Sequence, residues 1–169
     1  MKPYFIFKGI KSTDMDVIIT KLPPIIKPKK RVNQIEIPGM QGVLHEDEGT
    51  YENYTKDVEC AIKNRTRKVS YKSIDEWLDG YGELLFSNEQ GMYYKAYAHN
   101  QITISDVAKN FSKFLIQFDV YPLKHSVNHI DHELTLTAPT SIYNQGTYYS
   151  QPIITLYGTG AVTLLVNDK

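Results

Sequence analysis

The chain has 169 residues, a single cysteine (Cys60) and 19 Lys+Arg against 19 Asp+Glu. One cysteine excludes an intramolecular disulfide and a multi-cysteine zinc site within one chain. The balanced charge gives no global pull toward nucleic acid or an anionic membrane. No apolar run approaches the ~18 residues that span a bilayer. Lys8 and Gly9 interrupt the N-terminal apolar stretch too early for a signal-peptide core, so the expected location is the cytosol or a particle assembled there. Thirteen tyrosines, with many Ile, Val and Thr, suit pleated, half-buried surfaces and protein interfaces.

Alternation predicts a strand over 4–10, a polar turn at Ser12-Thr13-Asp14 and a short strand over Met15 to Thr20. Pro23, Pro24 and Pro28 lack the ladder donor, so 21–31 should be extended and exposed. Val32 to Ile37 alternates, and Pro38-Gly39 and Gln41-Gly42 form a turn-rich loop. Val43-Leu44 leads into an acidic loop, Glu46-Asp47-Glu48-Gly49. Tyr51 to Ile62 reads as a strand with Val58, Cys60 and Ile62 on one face.

One helix is expected from Ser73, where Ser73-Ile74-Asp75-Glu76 reads as a capping box. Ile74, Trp77, Leu78 and Tyr81 form its apolar stripe, and Gly80 and Gly82 end it. A strand over Glu83 to Ser87, a turn at Asn88-Glu89-Gln90-Gly91 and a strand over Met92 to Ala98 make a hairpin, and Gln101 to Ser105 continues. Phe111 to Tyr121 is the strongest strand, with Phe114, Ile116, Phe118 and Val120 on one face and Pro122 stopping it. Residues 123–133 read as a polar linker. Leu134 to Thr137 and Pro152 to Asn167 read as further short strands. The fold class is therefore mainly β and sandwich-like, with one short helix.

The motifs carry no clear chemistry. His125, His129 and His132, with Asp131, could ligate zinc or nickel, but that spacing suits a helix and the segment reads as linker. His45, Glu46, Asp47 and Glu48 could be an acid/base cluster, but adjacent carboxylates in a loop read as solvated. Cys60 reads as a small buried hydrophobe. Lys27, Lys29, Lys30 and Arg31, and Arg65, Arg67 and Lys68, are local basic clusters without a nucleic-acid motif. Gly158-Thr159-Gly160 precedes a strand, which argues against a phosphate loop. No catalytic residue, cofactor or metal is assigned.

Ordered pieces of the chain resemble one family. Phe5-Ile6-Phe7-Lys8-Gly9-Ile10-Lys11-Ser12 resembles the opening strand and turn of siphophage distal tail proteins. Lys29-Lys30-Arg31-Val32, Ile35-Glu36-Ile37-Pro38-Gly39-Met40-Gln41-Gly42, Leu44-His45 and Gly49-Thr50-Tyr51-Glu52 are similar to its central signature. Met40 and Gln41 stand where a basic and an acidic residue are common, so a salt bridge there is not carried over. Ile74-Asp75-Glu76-Trp77-Leu78 resembles the family's helix, and Phe118-Asp119-Val120-Tyr121-Pro122 the closing strand of its N-terminal domain. Asn144-Gln145-Gly146-Thr147, Ser150-Gln151-Pro152-Ile153-Ile154 and Tyr157-Gly158-Thr159-Gly160 resemble the start of a galectin-like domain.

The resemblance implies an N-terminal ring-forming β-sandwich over 1–133 with an extended arm, and the first strands of an incomplete galectin-like domain over 134–169. It implies a non-enzymatic virion protein, from a phage or prophage, that forms a hexameric hub between tail tube and tip with a channel for DNA. Implied partners are sister copies, the tail tube protein, the tail-associated tip protein, the tape-measure protein and a receptor-binding protein. Subunit-interface candidates are Pro24, Lys29, Lys30, Arg31, Pro38, Gly39, Gly42, His45 and Tyr51. The competing reading is a carbohydrate-binding module of a host-recognition device, which needs an exposed aromatic platform such as Tyr148-Tyr149 or Tyr93-Tyr94. A metal-dependent hydrolase would need the three histidines to converge.

Overall fold

The computed structural model describes residues 2–63, 70–108, 111–128, 133–135, 138 and 140–165. The chain divides into two units, 1–130 and 131–169. The first is mainly β. Its strands are β1 (Phe5–Phe7), β2 (Ile10–Lys11), β3 (Val17–Lys21), β4 (Lys30–Ile35), β5 (Leu44–Tyr51), β6 (Tyr54–Lys63), β7 (Gly80–Phe86), β8 (Met92–Ala98), β9 (Ser105–Ala108) and β10 (Phe111–Ser126). Eight form one sheet in the order β2-β1-β7-β8-β10-β6-β3, with β9 also on β10; β4 and β5 pair only with each other.

The sheet curls on itself. β1 and β10 are three strand spacings apart, about 14 Å in a flat sheet. Yet Phe118 on β10 lies 5.8 Å from the ring of Phe5 and 5.1 Å from that of Phe7 on β1. The inward faces of the two halves therefore meet, and the core fills the space between them. That core contains Phe5, Phe7, Val58, Cys60, Ile62, Phe114, Ile116, Phe118 and Val120. The strand alternation of β6 and β10 expected from sequence is what places them there. Burial also pushes the Cys60 thiol far above its usual range, consistent with an inert core residue.

The helix α1 spans Tyr71–Trp77 and differs from the expected one at both ends. Its cap is Ser70, not Ser73: the Ser70 Oγ accepts the Ser73 N–H at 3.1 Å. Glu76 does not close a capping box and sits beside Lys72 on the exposed face instead. The helix stops early because Gly80 takes φ +77° and begins β7, which carries Tyr81 out of the helical stripe. Ile74 and Trp77 are buried, as is Leu78 just past the helix end. Gly82 on β7 leaves room for its neighbours: a Cβ there would lie 2.6 Å from Lys8 Cγ and 3.0 Å from Phe7 Cε2. Gly82→Ala should destabilise by about 1–3 kcal/mol through overpacking against a fully buried ring, read as a lower denaturation midpoint with unchanged slope.

Four further expectations are corrected. Residues 12–15 form a 3-10 turn, so the second strand begins only at Val17. Gln101 to Ile104 is irregular, and the next strand is β9. The acidic segment 46–48 is not a loop but part of β5, because β4 supplies it with a ladder. Pro122 does not stop β10. Val120 pairs with Ala96 and Lys124 with Tyr94, so β10 advances four residues where β8 advances two. The missing proline donor falls in this bulge, and the strand resumes through His125 to Ser126, where a linker was expected.

A buried polar cluster pins the β7–β8 turn to the sheet. Lys56 points inward among the apolar residues of β6 and is fully buried. Its Nζ donates to Glu89 Oε1 at 2.9 Å and to the Tyr94 hydroxyl at 3.1 Å. Tyr94 donates to Glu89 Oε2 at 2.6 Å, and Lys124 also bonds that oxygen. Burial alone would raise the Glu89 pKa, but bonds from Lys124, Tyr94 and Lys56 hold it at about 2. Burial lowers the Lys56 pKa more than Glu89 restores it.

The second unit holds no strand among its described residues. The short strands expected at Leu134 to Thr137 and Pro152 to Asn167 are therefore absent over 134–135 and 152–165; 136, 137, 166 and 167 lie outside the described residues. Ile153 and Tyr157 are almost wholly exposed. An Asx turn orders its middle, where the Gly146 N–H reaches Asn144 Oδ1 at 2.9 Å.

Candidate interaction site

Residues 24–53 form an arm in which no residue is buried. Pro23, at its root, is buried; beyond it Pro24 and Pro28 keep the chain extended until β4. β4 and β5 then pair in register Val32 with Asp47, Asn33 with Glu46, Gln34 with His45 and Ile35 with Leu44. The arm turns at Ile37-Pro38-Gly39-Met40, where the Met40 N–H bonds the Ile37 carbonyl at 3.1 Å. Proline then glycine at φ +86° fits a type II turn.

The stem balances its own charge. Lys29 meets Glu52 at 3.3 Å, and Lys30 pairs with Asp47. Their bond raises the Lys30 pKa, and that bond followed by the Gly49 N–H lowers that of Asp47. Both groups are solvated, so the pair adds little stability. The tip differs: Ile35, Ile37, Met40 and Leu44 are all exposed, with Glu36 the one charge between Ile35 and Leu44. An isolated two-stranded hairpin is marginal in water. This one presents apolar side chains that its own subunit does not cover.

Every interface candidate lies on this arm. Pro24 is in the approach, Lys29, Lys30 and Arg31 at the stem, Pro38, Gly39 and Gly42 at the tip, and His45 and Tyr51 on β5. The tip's apolar side chains were missed, although alternation over Val32 to Ile37 carried the signal. A second exposed group was also missed. Tyr81 on β7 stands opposite Tyr97 on β8, and its ring meets that of Tyr121 on β10 at 5.9 Å, edge to face.

The other motifs separate. His125 is on β10, stacked on Tyr93 at 5.2 Å; His129, Asp131 and His132 lie outside the described residues. Arg65, Arg67 and Lys68 do too. No cluster of three or more potential metal ligands occurs among the described residues. Glu46 and Asp47 follow each other in a strand, so their side chains take opposite faces and do not converge. Tyr93 and Tyr94 are both buried, which removes them as a sugar platform. Tyr148 and Tyr149 have ring centroids 4.4 Å apart, with Tyr149 exposed.

The described residues of the first unit form a curled sheet with one short helix and a projecting arm. The chain belongs to the phage tail protein family described as the RIFT-related domain, whose family model matches residues 11–120. Among solved structures it is similar to the SPP1 Dit (gp 19.1) protein, described as a paradigm of the hub adsorption apparatus in phages infecting Gram-positive hosts. The two share 16% identity and a TM-score of 0.60, over 75% of this chain and 53% of that one. The chain thus spans about half the length of that protein. No curated protein matches. The fold is that of a siphophage distal tail protein.

Proposed function

We propose that the protein is a tail-tip hub subunit whose copies close into a hexameric ring between the tail tube and the adhesion device. The observation that carries this reading is the arm over 24–53, thirty residues long by its numbering, without one buried side chain. A head-to-tail contact made by such an arm closes a ring when its rotation fits. The channel would pass the tape-measure protein and then DNA. Residues 1–133 would be the ring-forming domain and 134–169 the first part of a galectin-like domain. Tail tube, tape-measure, tail-associated tip and receptor-binding proteins would be neighbours, joined to it in the host cytoplasm. No catalytic role is proposed.

Light scattering and electron microscopy test this directly. The purified protein should form rings at tens of micromolar. Replacing residues 25–51 by a short Gly-Ser linker should leave a monomer whose body melts as before. A wild type that stays monomeric alone and on purified tail tubes would refute the ring. The Tyr148-Tyr149 pair supports a second reading, saccharide binding. In that case Tyr149→Ala would abolish retention on host cell-wall polysaccharide without changing oligomeric state.

A further inference from the structure

We infer that the Glu89 carboxylate is a crosspiece that couples the root of the arm to the last residues of β10, so that opening one opens the other. The device lies within one subunit and does not depend on the ring reading.

The backbone forms a fork at this place. β6 and β10 pair continuously from Lys63 with Phe111 to Tyr54 with Val120, and there the ladder ends. One branch is the arm, whose last residues run directly into Tyr54. Its root is tied down locally: the Glu52 N–H bonds the Lys29 carbonyl at 2.8 Å, and Asn53 Nδ2 donates to Asp119 Oδ2 at 3.1 Å. The other branch is β10 itself, which crosses its bulge and pairs with β8 again from Lys124 to Ser126. Residues 121–123 between the two stretches enter neither ladder, and Pro122 has no N–H to give. The backbone is therefore the weaker connection across the fork, and side chains must supply the stronger one.

One carboxylate supplies it. Glu89 Oε1 takes the ammonium of Lys56, two residues into β6 from the arm. Glu89 Oε2 takes Lys124, the residue at which β10 regains its partner strand, and the Tyr94 hydroxyl. The Tyr94 hydroxyl also bonds that of Tyr54, the first residue after the arm. Both branches thus end on the same carboxylate. Glu89 is itself fixed, because its N–H bonds the Phe86 carbonyl at 3.0 Å and its side chain is 7% exposed. The Val127 N–H reaches the Gly91 carbonyl of the same turn at 2.9 Å, which draws the end of β10 to it. Away from water these bonds reinforce one another, and releasing one branch weakens the hold on the other. The fork accordingly has a closed state and a locally opened one, and both branches bias that equilibrium.

Hydrogen–deuterium exchange of the full chain, read by mass spectrometry, tests this at a concentration where light scattering finds the same assembly state for every variant. Lys124→Met cuts the crosspiece on the β10 side, and Tyr54→Phe cuts it on the arm side. Each should speed exchange about two- to tenfold, the effect of one lost hydrogen bond on a local opening. Each should do so in both branches, in peptides over 50–58 and over 123–128, because such coupling is reciprocal. Peptides covering α1 should be unchanged. Faster exchange confined to the substituted branch, or spread equally over α1, overturns the coupling. Tyr54→Phe removes only a hydroxyl and decides alone if Lys124→Met does not fold.

Discussion

Glu89→Ala will destabilise the first unit by about 3–5 kcal/mol, the largest effect expected of any single carboxylate deletion here. The reason is what remains. Lys56 has no exposed side-chain surface, and its ammonium relies on Glu89 and the Tyr94 hydroxyl. Removing the carboxylate leaves that charge in the core beneath the Phe86 and Tyr94 rings. Its desolvation cost then loses its compensation. The paired replacement Lys56→Met with Glu89→Gln should be far milder, because no charge is stranded. Equilibrium urea unfolding of the single and double variants checks this; equal losses would mean that the cluster is not electrostatically coupled.

The same carboxylate sets an acid limit. Its folded pKa of about 2 lies below the ordinary value of 4.5. A depressed carboxylate contributes stability that is fully present above the unfolded pKa and lost as pH falls through the folded one. A shift of this size corresponds to about 3 kcal/mol, lost between about pH 5 and pH 1. Wild type should therefore lose more stability than Glu89→Gln across that window.

Trp77→Ala should cost about 3–5 kcal/mol as a large core deletion. The indole stacks on Phe5 with centroids 5.3 Å apart and planes 5° from parallel. Its Nε1 donates to the Phe7 carbonyl at 2.9 Å. Alanine removes the ring, opens a cavity and takes away that hydrogen bond. A two-turn helix is not stable by itself, so α1 should loosen with it. Trp77→Phe would keep most of the packing and lose the hydrogen bond, and should fall between wild type and Trp77→Ala. Thermal unfolding ranks the three; a near-neutral Trp77→Ala would mean that α1 does not anchor to the sheet.

Much of the β framework was legible. Alternation in β6 and β10 named the inward side chains, and Gly91 with its polar neighbours marked the β7–β8 turn. Prolines and lysines marked 22–29 as extended, with Pro23 buried against expectation, and the candidate interface residues all fell on one arm. Even Lys56 was visible in principle, because it shares the parity of Val58, Cys60 and Ile62. Its counterion was not, since Glu89 lies 33 positions away in a turn.

Sequence by itself determined the class of the fold, the extended approach to β4 and the side chains of β6 and β10 that face inward. These follow from strand periodicity and from proline's missing donor, which are local properties. Tertiary structure alone decided the curl that brings Phe5 and Phe7 onto Phe118, the ladder that makes 46–48 a strand, the continuation of β10 past Pro122 and the buried charge cluster. Each depends on which distant strand lies alongside, and on the low polarity created only once the sheet has closed.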